Sequence, residues 1–284
     1  MLLGFGTNSI GDVDPLEAIP RLRDIGFSSL AITLDHHTID PFATDLAARV
    51  ARWRVALGRA GMACVVETGA RHLLDPVQKH EPTLVTADPD ARGRRVAFLR
   101  RAIDIAHDLG AGCVSFWSGV ARDRADSEAL WSRLAGGVAQ VVDHAAARGM
   151  RLGFEPEPGM LVDTLAAYGR LLDRLGSPDP LLLTVDVGHL ECMGERPLDV
   201  GVAPWASRIV NVHVDDMLAC RHEHLPLGEG EVDFPPVLAA IAAGGFSGGL
   251  HVELPRQSHR WLAVARQSFA FLAPLASRES PAGS

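Results

Sequence analysis

The sequence predicts an α/β fold: a single (β/α)8 barrel over residues 1–276, with a disordered tail at 277–284. Eight short β-type runs alternate with segments of helical periodicity, which specifies a parallel sheet with helical crossovers. Eight is also the number of strands that closes such a sheet on itself. The run Leu181-Leu182-Leu183-Thr184-Val185-Asp186 is apolar without alternation, as a strand covered on both faces is, and it delivers a carboxylate at its exit. The competing architecture, an open doubly wound sheet, calls for a dinucleotide fingerprint after the first strand, and Gly4-Phe5-Gly6-Thr7-Asn8-Ser9 lacks the third glycine. No linker or break in composition marks a second domain.

In chain order, Gly4 to Asn8 reads as the first strand. Asp14-Pro15-Leu16-Glu17 starts the first helix, with a capping aspartate, a proline at the first helical position and a glutamate three residues past the cap; Gly26 stops it. Ser28 to Leu34 is the second strand, exiting into His36 and His37, read as a solvated pair. A helix with Leu46, Val50, Trp53 and Leu57 on one face ends at Gly61, and Met62 to Glu67 is the third strand. The long loop that follows holds Arg71, His72, Lys79 and His80; a loop of this length inside a compact domain is usually functional, here a lid over a site. A helix from about Ala91 to Leu109 leads to the fourth strand, Cys113 to Trp117, and a helix from Ser127 to Arg148 to the fifth, which carries Glu155. Asp163 to Leu175 is helical, and the sixth strand carries Asp186. A helix-poor connection leads to the seventh strand and His213. Pro235 to Ala243 is a short helix, the eighth strand carries Glu253, and His259 to Leu272 is the last helix.

At 47% hydrophobic and 22% charged residues, the composition is that of an ordinary globular protein. No apolar stretch reaches the length of a membrane span, and the N-terminus lacks the basic segment and apolar core of a signal peptide. Four scattered cysteines, with no C-x-x-C pair, fit a reduced, cytoplasmic setting. A net charge of −8 argues against nucleic acid as a partner. Lys79, the one lysine, sits in a turn-like segment, which argues against Schiff-base chemistry. Exposed apolar helix faces would favour a homodimer.

In a parallel barrel all strand exits gather on one rim, so Glu155, Asp186, His213 and Glu253, which end four successive strands at spacings of 31, 27 and 40 residues, are brought together. Carboxylates buried side by side are costly unless a cation compensates them, and this oxygen-rich set suits Mn²⁺ or Mg²⁺ better than a structural Zn²⁺. The expected cofactor is one divalent ion, Mn²⁺ first, with Mg²⁺, Co²⁺ and Zn²⁺ as alternatives. Around it, Glu67, Arg71 and Trp117 are expected to touch substrate: Arg71 because its fork matches a phosphate or carboxylate, Trp117 as an aromatic wall. Glu157 reads as a loop carboxylate.

The motifs Phe154-Glu155-Pro156, Asp186-Val187-Gly188-His189, Asn211-Val212-His213-Val214-Asp215-Asp216, Leu227-Gly228-Glu229-Gly230-Glu231-Val232-Asp233-Phe234 and His251-Val252-Glu253 resemble the xylose-isomerase-like TIM-barrel superfamily. That group holds sugar phosphate isomerases and epimerases, ketose 3-epimerases, inosose dehydratases and the abasic-site endonuclease. The resemblance implies metal-dependent isomerisation or epimerisation of a sugar, sugar phosphate or cyclitol ketone through an enediolate. It also implies Glu155 and Glu253 as acid and base on opposite faces of the carbon, and His189 and Arg221 on substrate oxygens. A lyase of the same superfamily, an inosose-type dehydratase or a C-glycoside-cleaving enzyme, is the alternative. In the endonuclease a histidine placed like His224 helps hold a further zinc, which makes His224 a candidate ligand for an additional metal. His222 departs from that pattern, standing where the endonuclease has an aspartate, and phosphodiester cleavage ranks last.

Overall fold

A computed structural model describes residues 1–277. Among them, eight parallel strands close into a barrel in the order β1 (Leu2–Gly6), β2 (Ser29–Thr33), β3 (Ala63–Glu67), β4 (Val114–Phe116), β5 (Leu152–Phe154), β6 (Leu181–Asp186), β7 (Ile209–Val214) and β10 (Gly249–Val252), which returns to β1. The predicted (β/α)8 barrel is therefore observed. Registers such as Asp186 beside His213 and His251 beside His213 bring the exits of neighbouring strands to one level.

The crossover helices form where capping chemistry and apolar spacing agree. α1 (Pro15–Ile25) has Asp14 accepting from the Leu16 N–H, and α2 (Leu46–Ala60) ends at Gly61, whose left-handed φ of 61° a side chain would resist. α3 (Pro89–Leu109) begins two residues before the predicted Ala91, because Asp88 caps it and Pro89 occupies its first position. α4 (Ser127–Arg148) and α5 (Leu165–Leu175) are capped by Asp126 and Thr164. Their apolar faces pack on the outside of the barrel, with Phe98, Leu99, Ile103, Leu134, Val138, Tyr168 and Leu171 all buried.

Three departures from the sequence reading matter for the site. The chain leaves β1 at Gly6, so Thr7–Ser9 form a 3-10 turn that lies at the rim rather than in the sheet. The connection after Asp186 is not helix-poor: it holds α6 (Val187–Cys192), α7 (Leu198–Val202) and a 3-10 segment, Ala203–Arg208. Beyond β7 an antiparallel hairpin, β8 (Asp216–Leu218) with β9 (Arg221–Leu225), stands over the rim before α8 (Phe234–Ala243). The last helix, α9, runs from Trp261 to Ser277, and the tail expected at 277–284 lies, past Ser277, outside the described residues. No helix among the described residues is long and apolar enough to cross a membrane.

Inside the barrel the side chains change from apolar to polar toward the exits. Ala31, Val65 and Cys113 form a small apolar cluster with Val210. Two residues on, and so on the same strand faces, Thr33, Glu67 and Ser115 line the cavity at the rim. The polar layer is tightly fitted: a Cβ on Gly153 would stand 2.2 Å from the Thr184 hydroxyl, which bonds Ser115 at 2.9 Å.

Candidate active site

A cavity of about 710 Å³ opens on the C-terminal rim of the barrel, lined by residues from β1, β2, β3, β4, β5, β7, β9 and β10 or their exits. At its floor the side chains of Glu155, Asp186, His213 and Glu253 meet. Nδ1 of His213 lies 3.0 Å from Oε1 of Glu155, 3.1 Å from Oε2 of Glu253 and 3.9 Å from Oδ2 of Asp186. One ligand atom each from Glu155, Asp186 and His213 lie within 4.8 Å of one another, the spacing a single ion would bridge. Four positions spread over 99 residues of chain thus converge because β5, β6, β7 and β10 are successive staves of one barrel.

The floor leaves two buried polar atoms without hydrogen-bond partners. Asp186 is buried, and while its Oδ1 accepts the His189 N–H at 3.0 Å, its Oδ2 has no hydrogen-bond partner. Nε2 of the equally buried His189 is also unpartnered, its Nδ1 facing the Pro156 carbonyl at 3.2 Å. Such orphaned atoms cost free energy unless an ion, water or substrate completes them. Burial pushes the Glu155 carboxyl up to about 7, although His213 opposes it. Burial also works against the Asp186 anion, but His189, His224 and His213 outweigh it and hold the group at about 2. For His213, burial disfavours the charged ring, yet Glu67, Glu155 and Glu253 lift it well above the ordinary imidazole range. The floor thus crowds carboxyl groups around one imidazole, Glu155 pushed up by burial and His213 held charged by its neighbours.

Several predicted residues take other places. Glu67 ends β3 and lies beside His213, with its Oε1 2.9 Å from both His213 Nε2 and the Asn211 amide nitrogen. It thereby holds the far nitrogen of the His213 ring. Trp117 is buried against the cavity wall, with the His80 ring edge-on at 5.5 Å and the Arg95 guanidinium 4.2 Å from its centre. Arg71 lines the cavity. Arg221 does not: it begins β9, is largely exposed and pairs with Glu223 at 2.7 Å. Glu157, read as a loop carboxylate, instead lines the cavity, where burial and the neighbouring Glu155 hold its carboxyl well above the usual range.

His224 comes down from the hairpin toward His189, and with His222 the three rings lie 4.9–5.8 Å apart, close enough to hold a metal. Nδ1 of His224 bonds the buried Asp215 carboxylate. Burial opposes charge on His224, but Asp215 prevails and lifts it to about 10.

Asn8 and Asn211 were not singled out. The Asn8 amide donates to Oε1 of Glu253 at 2.7 Å. Asn211 had a sequence signal, since it stands two residues before His213 and so on the same face of β7.

A family model described as the xylose isomerase-like TIM barrel matches residues 19–275. An inosose dehydratase from Lacticaseibacillus casei is 31% identical over 140 residues, a match covering 43% of this chain and 46% of that enzyme. The match therefore spans less than half of that relative's length. Among solved structures, L-ribulose 3-epimerase superposes with a TM-score of 0.78 at 21% identity over 98% of this chain and 95% of that one. The IolI protein with a bound zinc atom gives 0.78 at 15% identity over 99% and 100%. D-psicose 3-epimerase from Clostridium cellulolyticum H10, solved with D-tagatose, gives 0.77 at 17% over 98% and 99%. At these identities the structural likeness is one of fold.

Proposed function

We propose, from the premise that this chain belongs to the xylose isomerase-like TIM-barrel family, that it is a divalent-metal-dependent isomerase or epimerase acting on a sugar or cyclitol ketone. The observation that carries the reading is the placing of His213 Nδ1 within 3.0–3.9 Å of oxygens from Glu155, Glu253 and Asp186, next to a buried Asp186 oxygen without a partner. Glu155, Asp186, His213 and Glu253 would hold the ion, with Mn²⁺ first among the candidates and Mg²⁺, Co²⁺ or Zn²⁺ as alternatives. A dication there supplies positive charge against the negative charge that develops on substrate oxygens when a carbon beside a carbonyl loses its proton.

The remaining work falls to the chain's own groups. Glu155 and Glu253 are the acid and base. Glu155 and Glu253 approach His213 Nδ1 at 3.0 and 3.1 Å, and a carboxylate from each would take and return the proton. The Asn8 amide fixes Oε1 of Glu253, and Oε2 lies 3.1 Å from His213 Nδ1. His189, held neutral because burial lowers it to about 3, presents its unpartnered Nε2 to a substrate hydroxyl. Trp117 closes one wall. His224, with His189 and His222, is a candidate ligand for an additional metal.

The inosose dehydratase relative favours a second reading, in which the same proton abstraction is followed by loss of a β-hydroxyl as water. One experiment separates the two. Purified protein is stripped with a chelator, reloaded with Mn²⁺ and given ketoses and inososes, with products read by NMR and mass. Epimerisation or isomerisation conserves mass, and dehydration loses one water. Turnover should vanish on stripping and in Glu253→Gln, with the fold intact by circular dichroism; full activity in that variant would overturn the acid–base assignment.

A further inference from the structure

The cavity is electrically lopsided. Its floor carries Glu67, Glu155, Glu157 and Glu253, while the wall formed by the loop after β3 carries Arg71 and Lys79. These two cations stand on either side of a pinned neck: the His80 N–H donates to the Arg71 carbonyl at 2.6 Å, and His80 Nδ1 meets the Gly69 carbonyl at 2.6 Å. The His80 ring is seated edge-on against Trp117, so the neck is fixed to the cavity wall rather than free in solvent.

Neither cation is neutralised. Arg256, which lines the same cavity, lies against the Glu223 carboxylate at 2.9 Å. Among the described residues, Arg71 and Lys79 have no carboxylate within ion-pair distance. The Arg71 guanidinium donates to the Asn8 carbonyl at 3.2 Å. The potential they create is felt locally: burial, with Lys79, Arg95 and Arg71 adding to it, pushes His80 down to about 4. Lys79 is the one lysine of the chain, and it faces this cavity.

A ligand that put its reacting carbons beside Glu155 and Glu253 would extend its far end toward this wall. Both cations are exposed to solvent, and an anionic group at that end would pair with them where a neutral polyol would not. We infer that Arg71 and Lys79 form an oxyanion subsite, and that the substrate carries a phosphate or carboxylate on the end remote from the reacting carbon. The inference rests on the proposed polyol site at the floor. The Arg71 fork suits the two oxygens of either group, and Lys79 adds a point charge.

The test is isothermal titration of the Mn²⁺-loaded protein with two matched pairs, D-ribulose against D-ribulose 5-phosphate and D-fructose against D-fructuronate, together with inorganic phosphate. In at least one pair the anionic member should bind about tenfold or more tighter than its neutral parent, the difference expected of one charge-assisted contact. That ratio should fall toward unity in the double variant Arg71→Gln, Lys79→Gln. Because the ratio is taken within each protein, a general loss of binding does not mimic the effect. The pair that shows the preference identifies the phosphate or the carboxylate. A ratio near one in the wild type, or one that survives in the variant, overturns the subsite and leaves the polyol reading standing. If no sugar binds, the polyol reading fails; inorganic phosphate bound by the wild type and not by the variant would still support the subsite, and phosphate treated alike by both would overturn it too.

Discussion

Glu67 offers a sharp test of how the floor is organised. Its Oε1 accepts from His213 Nε2 and from the Asn211 amide, each at 2.9 Å, in a buried setting. A hydrogen bond to a charged group contributes about 1.5–3 kcal/mol net, and about 1.4 kcal/mol is a factor of ten in affinity. Removing the side chain in Glu67→Ala frees the His213 ring to turn and should weaken divalent-metal binding about a hundredfold, within the range usual for partners that orient a ligating histidine. Glu67→Gln keeps an oxygen at the same reach and loses only the charge, so its cost should be about tenfold. Affinities are read by competition with a chromophoric chelator, on variants whose fold is checked by circular dichroism. If Glu67 instead held substrate, as the sequence suggested, KM would rise while metal affinity stayed at the wild-type value. That outcome, or equal losses in the two variants, would refute the positioning role.

Two further predictions concern the scaffold. A Cβ on Gly188 would stand 1.9 Å from Oδ1 of Asp215 and 2.8 Å from Cγ of Met217, so Gly188→Ala must displace the carboxylate that holds His224. Overpacking of this kind costs about 1–3 kcal/mol, seen as a lowered urea midpoint; an unchanged midpoint would contradict the packing. His251 is buried between Ser29 and Asn211, and burial, with His213 adding to it, lowers it from 6.5 to about 3. Above pH 6.5 both folded and unfolded chains carry it neutral and its contribution is complete. Below that the unfolded chain takes up the proton first, so stability is lost as pH falls toward 3, at about 1.4 kcal/mol per pH unit. Denaturation of wild type and His251→Gln across this range should give curves that converge toward acid, and parallel curves would rule out the neutral buried ring.

What could be read from the sequence was whatever follows from direction and period. Strands joined by helical crossovers must run parallel, so residues at their exits meet, and this is why Glu155, Asp186, His213 and Glu253 were visible as a group although their neighbours in the chain are unrelated. The hairpin was missed because its closing turn, with Cys220 at a φ of 59°, has no glycine, asparagine or proline to announce it. Yet Arg221-His222-Glu223-His224 alternates with a period of two. Read as a strand, it sends His222 and His224 to the cavity and Arg221 and Glu223 to the opposite face, where those two pair with each other. The resemblance that put Arg221 on the substrate follows position in a motif, and the strand period decides against that placement.

The part that stayed hidden is a relay of hydrogen bonds across the barrel interior, whose members lie on strands far apart in the chain. The Ser29 hydroxyl meets Nε2 of His251, Nδ1 of His251 meets the Asn211 side-chain oxygen, and the Asn211 amide nitrogen meets Glu67, which also receives His213 Nε2. Asn211 offers its oxygen to His251, and its amide nitrogen lies 2.9 Å from Glu67 Oε1 and 3.1 Å from His213 Nε2, while a carboxylate at Glu67 can only accept. A proton on His213 Nε2 satisfies that carboxylate, and Nδ1 is the nitrogen that faces Glu155, Asp186 and Glu253. Each link is an ordinary side chain at an ordinary interior position, so no spacing or composition marks it. Together they surround one histidine and hold its ring with Nδ1 toward the cavity.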